Sequence, residues 1–324
     1  MTVVSKSASP VRIAALQRAS SGLRSVAPLM AAVFLAFGAL NVAPASAASG
    51  APASAASGAP AAVAPASGAP AVTNPAPGTT ATPSNSYEPE VGQAGKDVIW
   101  VPTPQALVDK MLDIAEVTPA DYLIDLGAGD GRTVITAAKR GLKAHGIEYN
   151  ADMVALAKQR AEKEGVSDRA SFTAADLFES DLTQAQVITM FLLPSINEKL
   201  RPTILDLKPG TRIVSNSFRM GEWQPDGTTS VEGSCQSWCT AYLWIVPAKV
   251  YGTWQLNGQP LALKQTFQQV EGTLGTDPIS EASLKGDTLS FKAGGTQYTG
   301  RVDGKKMTGE TSGDRSGTWT ATLN

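Results

Sequence analysis

The chain reads as an α/β protein, a doubly wound and mostly parallel sheet followed by a small antiparallel β-barrel. Three observations predict this. Between Tyr122 and Phe218, short apolar runs alternate with helical patterns, the arrangement that builds a parallel sheet with helices on both faces. A glycine-rich turn, Gly127 to Gly131, follows the first of those runs and opens a helix. From about Lys249 onward the helical patterns stop, and period-two alternation broken by Asn-Gly, Gly-Asp and Gly-Gly turns takes over.

The N-terminus does not read as part of either domain. Residues 1–28 carry Lys6, Arg12, Arg18 and Arg24 without an acid, Pro28 to Val42 is almost wholly apolar, and Ala45-Ser46-Ala47 is a small-residue cleavage signal. Residues 1–47 therefore read as a signal peptide, and the expected location is exported, periplasmic or envelope-associated. A mitochondrial presequence is the alternative. The apolar run is short for a membrane span of ~20 residues, but it leaves open a transient membrane association through this segment. Residues 48–87 repeat Ala-Ser-Gly-Ala-Pro from positions 48, 56 and 66, a composition that cannot bury enough apolar surface to fold and reads as a disordered linker. What is left, about 235 residues, accommodates two domains of ordinary size, 88–247 and 248–324.

In the first of these, Thr103 is expected to cap a helix whose first position is Pro104. Strands are expected at Tyr122–Leu126, Ala144–Glu148, Ala170–Thr173, Val187–Leu193 and Arg212–Phe218. Between them lie helices at Arg132–Arg140, Ala151–Glu164 with Asn150 as N-cap, and Asn197–Leu207. Thr240–Val246 would add an antiparallel edge strand. In the second domain strands are expected at Lys249–Leu256, Leu261–Leu274, Ile279–Leu284, Thr288–Lys292, Gln297–Val302, Lys306–Glu310 and Gly317–Leu323. The Gly-Thr-Trp triplets ending at Trp254 and Trp319 open and close this meander, as expected if its first and last strands meet to shut a barrel. Both tryptophans are expected in its core.

The chemistry concentrates at the glycine turn. A dinucleotide fingerprint needs G-x-G-x-x-G, yet Arg132 stands where the third glycine should be. A P-loop is excluded because no Gly-Lys-Ser/Thr follows. What remains is Asp125-Leu-Gly127-Ala128-Gly129-Asp130-Gly131, an acid two residues before G-x-G-x-G, with a second acid, Glu148, ending the next strand and a third, Asp176, after the one beyond. This constellation resembles motif I and its partners in the class I S-adenosylmethionine (SAM) methyltransferases. That resemblance implies a Rossmann-like methyltransferase sheet with SAM held by Asp125, Gly127, Ala128, Gly129, Asp130, Gly131, Glu148, Tyr149, Asp176 and Leu177. In it Glu148 takes the ribose hydroxyls and Asp176 the adenine amino group. SAM carries a sulfonium and an amino-acid tail but no phosphate, which suits carboxylates and close backbone approach.

A narrower resemblance runs through Trp100-Val-Pro-Thr-Pro-Gln, Asp125 to Arg132, Ala137 to Gly141 and Gly146-Ile-Glu-Tyr-Asn150. Over about residues 98–222 the chain is similar to the small lysine methyltransferases that modify the c subunit of ATP synthase and related membrane carriers. The resemblance implies a protein-lysine acceptor and a pocket built from Trp100, Pro102, Thr103, Phe191, Leu193 and Pro194. No residue stands out as a general base, and an Asn/Asp-Pro-Pro-Tyr motif is absent, against exocyclic nitrogen acceptors.

Other chemistry is thin. One histidine, His145, inside a strand, and two cysteines cannot build an ordinary zinc site, so no metal is expected. Cys235 and Cys239 are near enough to form a small loop disulfide, which fits an oxidising compartment. A net charge of −2 with no basic stripe offers nucleic acid no footprint. The reading is an exported SAM-dependent methyltransferase acting on a protein or small-molecule acceptor. Two alternatives stay open: a noncatalytic exported ligand-binding or scaffold protein that keeps the fold, and a small-molecule or lipid methyltransferase. The leader favours the first alternative, since SAM is made and kept in the cytoplasm.

Overall fold

The apolar runs around the glycine turn fold as the central strands of one sheet. The computed structural model describes residues 87–324 except Ser234, all of them within one compact unit; the expected signal peptide and the linker up to residue 86 lie outside the described residues. β1 (Tyr122–Leu126) is flanked in parallel by β2 (Lys143–Glu148) and β4 (Val187–Met190). β3 (Ala170–Ala174) pairs with β2, and β5 (Arg212–Asn216) with β4, also in parallel. All four residues of β4 are buried, as are the last four of β1 and of β5, because helices cover both faces of such a sheet and leave its strands no polar side.

The helices are α1 (Gln105–Ile114), α2 (Arg132–Lys139), α3 (Ala151–Lys163) and α4 (Pro194–Leu205). Asn150 caps α3 as expected, its side-chain oxygen accepting from the Asp152 and Met153 N–H groups. One core lies on the face where α1 to α3 pack, around Leu107, Leu123, Val134 and Phe172; a second lies on the other face, around Ile124, Ile188, Leu200, Trp223 and Trp244.

Several expectations need correction. Thr103 does not cap α1: Pro104 is the N-cap and supplies no side-chain bond. Thr103 is instead buried, its hydroxyl accepting from Asn216 Nδ2 at 3.2 Å. β4 stops at Met190 and β5 at Asn216, so Phe191–Leu193 and Ser217–Phe218 are connections. α4 starts at Pro194 rather than Asn197, proline costing nothing at a first helical position. β7 (Thr240–Ile245) is antiparallel, but it is not the edge. β6 (Gly227–Ser230) lies outside it, giving the order β3-β2-β1-β4-β5-β7-β6.

The second region is a closed barrel of eight antiparallel strands: β8 (Gly252–Leu256), β9 (Gln259–Thr266), β10 (Gln269–Leu274), β11 (Asp277–Lys285), β12 (Thr288–Ala293), β13 (Thr296–Asp303), β14 (Lys306–Gly313) and β15 (Gly317–Leu323). The run Leu261–Leu274 is thus a hairpin rather than one strand, turning at Phe267 with φ 54°. β8 and β15 do meet, Leu256 opposite Ala321, and Trp254 and Trp319 fill the interior with Phe291 and Leu289. The strand begins at Gly252, not Lys249; residues 248–250 instead tie back, Val250 N–H to Gln265 Oε1 at 2.7 Å and Ala248 N–H to the Gly286 carbonyl at 2.8 Å.

Barrel and sheet share one seam. Trp223 stacks on Phe267 at 5.7 Å between ring centroids, and its indole N–H donates to Gln268 Oε1 at 2.9 Å. Gln268 returns a bond to the Gln224 carbonyl at 2.8 Å. The sheet therefore presents its carboxyl edge, with the glycine turn, to one side while its far half is braced by the barrel's first hairpin.

Candidate functional site

The site forms where β1, β2 and β4 end and the segment before α1 folds over them. The Gly127 and Ala128 N–H groups both donate to the Ile147 carbonyl at 2.9 and 3.1 Å, which pins the turn to the end of β2. Gly129 has φ 53°, and a Cβ there would sit 2.6 Å from the Trp100 indole nitrogen. Only glycine permits both that conformation and that approach. Trp100 therefore closes over the turn, and the short hairpin 93–100, held by Trp100 N–H to Gln93 O and Gly95 N–H to Val98 O at 2.9 Å each, roofs the cavity.

Carboxylates are the main polar feature. Asp125 is buried at 6% exposure and accepts from the Thr189 hydroxyl at 2.6 Å. Burial pushes its carboxyl up to about 7, with the nearby Glu148 and Asp130 charges adding and the Thr189 hydroxyl opposing. Glu148 accepts from the Gly129 N–H through one oxygen and from the Asn150 N–H through the other, both at 2.9 Å. A carboxylate oxygen has two lone pairs, so each keeps an acceptor site for a ligand.

Asp130 behaves differently. Its oxygens take Arg132 Nε at 3.0 Å and Nη2 at 2.6 Å and form a further ion pair with Arg160. Burial works against its charge, but these bonds and the two guanidinium charges outweigh it and hold the carboxyl below the usual range. Its negative charge is thereby spent within the protein, and attraction for a cationic ligand falls to Asp125 and Glu148. Asp176 pairs with Lys96 at 2.5 Å and accepts from the Phe178 N–H at 2.9 Å, and these two contacts lower its pKa. Lys96 also lies over the Tyr149 ring, 4.7 Å from its centroid.

The cavity brings together Asp125, Gly127, Ala128, Gly129, Asp130, Glu148, Tyr149, Asp176 and Leu177 with Trp100, Pro102, Thr103 and Phe191. Three expected site residues stand outside it. Gly131, φ 81°, heads α2, and a Cβ there would meet Ala157 and Phe172 at 2.8 Å, so it serves helix packing. Pro194 is the first residue of α4, and Leu193 caps that helix and faces a neighbouring groove. His145 is half-buried on β2 with Nδ1 2.8 Å from the Ser171 hydroxyl, away from the cavity. Sequence reasoning missed Lys96, Thr189 and the apolar wall of Met153, Met190, Leu192 and Ile196. Lys96 was signalled only as the first basic residue after Arg24, and Thr189 as the polar residue within an apolar strand.

The arrangement suits SAM. Carboxylates at the ends of β1 and β2 and past β3 match a sulfonium, an ammonium and a ribose. Trp100 and Leu177 line the same cavity with apolar surface, which suits an adenine and a thioether carbon chain.

Comparison with known proteins points the same way. A family model described as the ANTKMT methyltransferase domain matches residues 125–227. A protein-lysine N-methyltransferase of Saccharolobus islandicus is 44% identical over 152 residues, covering 46% of this chain and 94% of that protein. The lysine N-methyltransferase of Rattus norvegicus named for the ATP synthase c-subunit is 37% identical over 117 residues, 36% of this chain and 54% of that one; the chain spans about half the length of such relatives. The crystal structure of an RNA methyltransferase from Salinibacter ruber with S-adenosyl-L-homocysteine shares 46% identity, covers 46% of this chain and 96% of that one, and superposes with a TM-score of 0.44.

Proposed function

The chain belongs to the SAM-dependent methyltransferase family that includes the Saccharolobus islandicus protein-lysine N-methyltransferase, and from that premise we propose that it methylates lysine amines of a protein acceptor. The match along 94% of that relative carries the reading. Bound in the cavity, SAM would supply an activated methyl group. Glu148 is the residue to hold the ribose, Asp176 the adenine amino group, and Asp125 to balance the cationic end, with Gly127 and Gly129 giving the backbone access the ligand needs. For Asp176 to do so, Lys96 has to share or release it.

The chain's remaining task is to align an amine and to keep it neutral. A lysine in water has a pKa near ~10.4 and is almost wholly charged at neutral pH. Beside the cavity runs a groove that shares Val98, Ile99, Val101, Phe191 and Leu192 with it and continues to Leu193, Phe218 and Trp238. Apolar walls lower an amine's pKa by desolvating its charged form, and they accommodate its four methylenes. Positioning and desolvation together would then drive transfer without a dedicated base.

We further propose that the protein acts outside the cytoplasm. The leader at residues 1–47 and the Cys235–Cys239 disulfide support this. Mass spectrometry of the mature chain from fractionated cells, with its first residue near Ala48, is the expected result; an intact Met1 form confined to the cytosol would remove it.

The test of the activity is incubation of the full chain with methyl-labelled SAM and lysine-containing protein acceptors, read by mass spectrometry alongside calorimetric SAM binding. Methylated lysine is the expected product. SAM binding with label only in small molecules or lipid would move the acceptor class, and a folded chain that binds no SAM would make it a noncatalytic exported scaffold.

A further inference from the structure

Three aromatic rings from three separate connections meet beside the cofactor cavity. Phe191 follows β4, Phe218 follows β5, and Trp238 comes from the loop between β6 and β7. Their ring centroids lie 6.0 Å (Phe191 to Phe218), 5.6 Å (Phe191 to Trp238) and 5.4 Å (Phe218 to Trp238) apart. None of the three belongs to the two cores of the sheet or to that of the barrel, so the cluster lies apart from the packing that carries the fold. Trp238 stays 42% exposed, next to Leu193 at 42% and Ile99 at 61% along the same groove. Exposed aromatic surface of this kind gains most when a ligand covers it.

The Trp238 loop is built to hold its position. The Val231 N–H donates to the Cys239 carbonyl at 2.9 Å, closing the base of the loop, and the Cys235–Cys239 disulfide brackets the tryptophan. Trp238 has φ 60°, a conformation bulky residues rarely adopt unless their surroundings impose it. Phe191 lines both the cofactor cavity and the groove, so a chain lying against Trp238 has a continuous path into the cavity. Along the groove Lys96 and Asp97 are the titratable side chains among the described residues, one of each sign, and Lys96 is already paired with Asp176. The wall selects for apolar surface rather than for charge.

We propose that Trp238, positioned by the Cys235–Cys239 disulfide, is a specificity-determining residue that selects acceptor lysines flanked by apolar side chains. This deepens, and rests on, the lysine methyltransferase reading of the same site. The two cysteines act through the tryptophan and are positioning residues.

The experiment compares the full chain, Trp238→Ala, Trp238→Phe and a Cys235→Ser/Cys239→Ser double variant on two peptides of equal length, one lysine flanked by leucine and phenylalanine, the other by serine and glycine. Wild type should favour the apolar peptide about tenfold or more in kcat/KM, and Trp238→Ala should remove that preference, mainly through KM. Trp238→Phe should restore most of it, the double cysteine variant should fall between, and calorimetric SAM affinity and melting temperature should stay at wild-type values for the tryptophan variants. Equal use of both peptides by the wild type would leave lysine methylation standing and overturn this inference alone. So would a Trp238→Ala enzyme that slows both peptides alike, or one that keeps the preference. Methylation of neither peptide nor any other lysine by a SAM-binding wild type would instead remove the lysine reading, and this inference with it.

Discussion

The carboxyl edge of the sheet and the interior of the barrel are both buried, yet they are built on opposite principles. In the sheet region Asp125, Asp130, Thr189, Asn197, Ser215 and Asn216 are all buried polar groups, whereas the barrel's described residues contribute Thr296 alone. The barrel closes on an apolar plug of Trp254, Trp319, Phe291 and leucines. The sheet instead keeps acids out of water, pairs them with hydroxyls, backbone N–H groups and guanidinium ions, and leaves one of them, Asp125, displaced to a pKa of about 7. Such placement disfavours folding unless every group is satisfied, and it creates a site that can bind a cation. The barrel's interior offers packing alone, and its seam with the sheet, Trp223 stacked on Phe267 and bonded to Gln268, makes it a brace.

The largest effect expected from this contrast lies in the barrel. Trp319 is 1% exposed, stands edge-on to Phe291 and Tyr298, and donates to the Glu310 carbonyl at 3.1 Å. Trp319→Ala should destabilise the fold by about 3–5 kcal/mol through the cavity it leaves. Denaturant melts would show this, and SAM affinity of the molecules still folded should not change. A large loss of affinity in that variant would mean the barrel shapes the site.

Glu148→Ala reverses the pattern. It removes a charged acceptor of two backbone N–H groups and of the expected ribose, worth about 1.5–3 kcal/mol, so SAM should bind on the order of 10- to 100-fold more weakly. Both freed N–H groups belong to residues that border the cavity, where water can replace the carboxylate, and the melting temperature of the free protein should move little. Calorimetry on wild type and variant separates the two; unchanged affinity would displace the ribose from Glu148.

How far each region was legible in the sequence follows the same division. β1, β2 and β3 and the closure of the barrel by its first and last strands could be read because apolar runs and turn dipeptides are local signals, and Asp125, Glu148 and Asp176 because they end or follow those runs; the barrel read as seven strands, one short of the eight it has. β6 could not: Gly-Thr-Thr-Ser carries no apolar alternation and is a strand only because β7 lies beside it. The turn at Phe267 was hidden for a related reason, since its aromatic ring is spent on Trp223 rather than on the barrel's pattern. Thr103 looked like a cap because caps are local, and was taken instead by Asn216, more than a hundred residues away in the chain. The meeting of Phe191, Phe218 and Trp238 depends on three loops converging, which no spacing encodes.

A pH series sharpens the role given to Asp125. Its folded pKa, about 7, lies above the ordinary carboxylate value of 3.8, so the folded state holds the proton more tightly than the unfolded chain does. The stability contributed by this group is full below the unfolded value and is lost as pH rises from there through the folded pKa. Binding of a cation works in the other direction, because it favours the ionised acid. If the ligand binds only that form, SAM affinity should rise about tenfold between pH 6 and pH 8, with a proton released on binding near pH 7. Asp125→Asn should flatten both trends. A wild-type affinity independent of pH would show that Asp125 keeps one charge state throughout.

The smallest effect is expected at the outer surface near the seam, where Lys249 and Asp206 form an ion pair with both side chains more than 70% exposed. Unlike the Asp130 cluster, where a carboxylate at 3% exposure is held between two guanidinium groups, this pair remains in water and its attraction is screened by salt. Lys249→Ala should therefore change stability by less than about 0.5 kcal/mol at physiological ionic strength and leave SAM binding as it was. Removing either arginine beside Asp130 should cost more, since it leaves a buried charge with half its partners. A Lys249→Ala variant as damaged as those would mean that the first residues of the barrel region clamp it to α4 more tightly than an exposed ion pair can, and that the brace extends beyond the Trp223 stack.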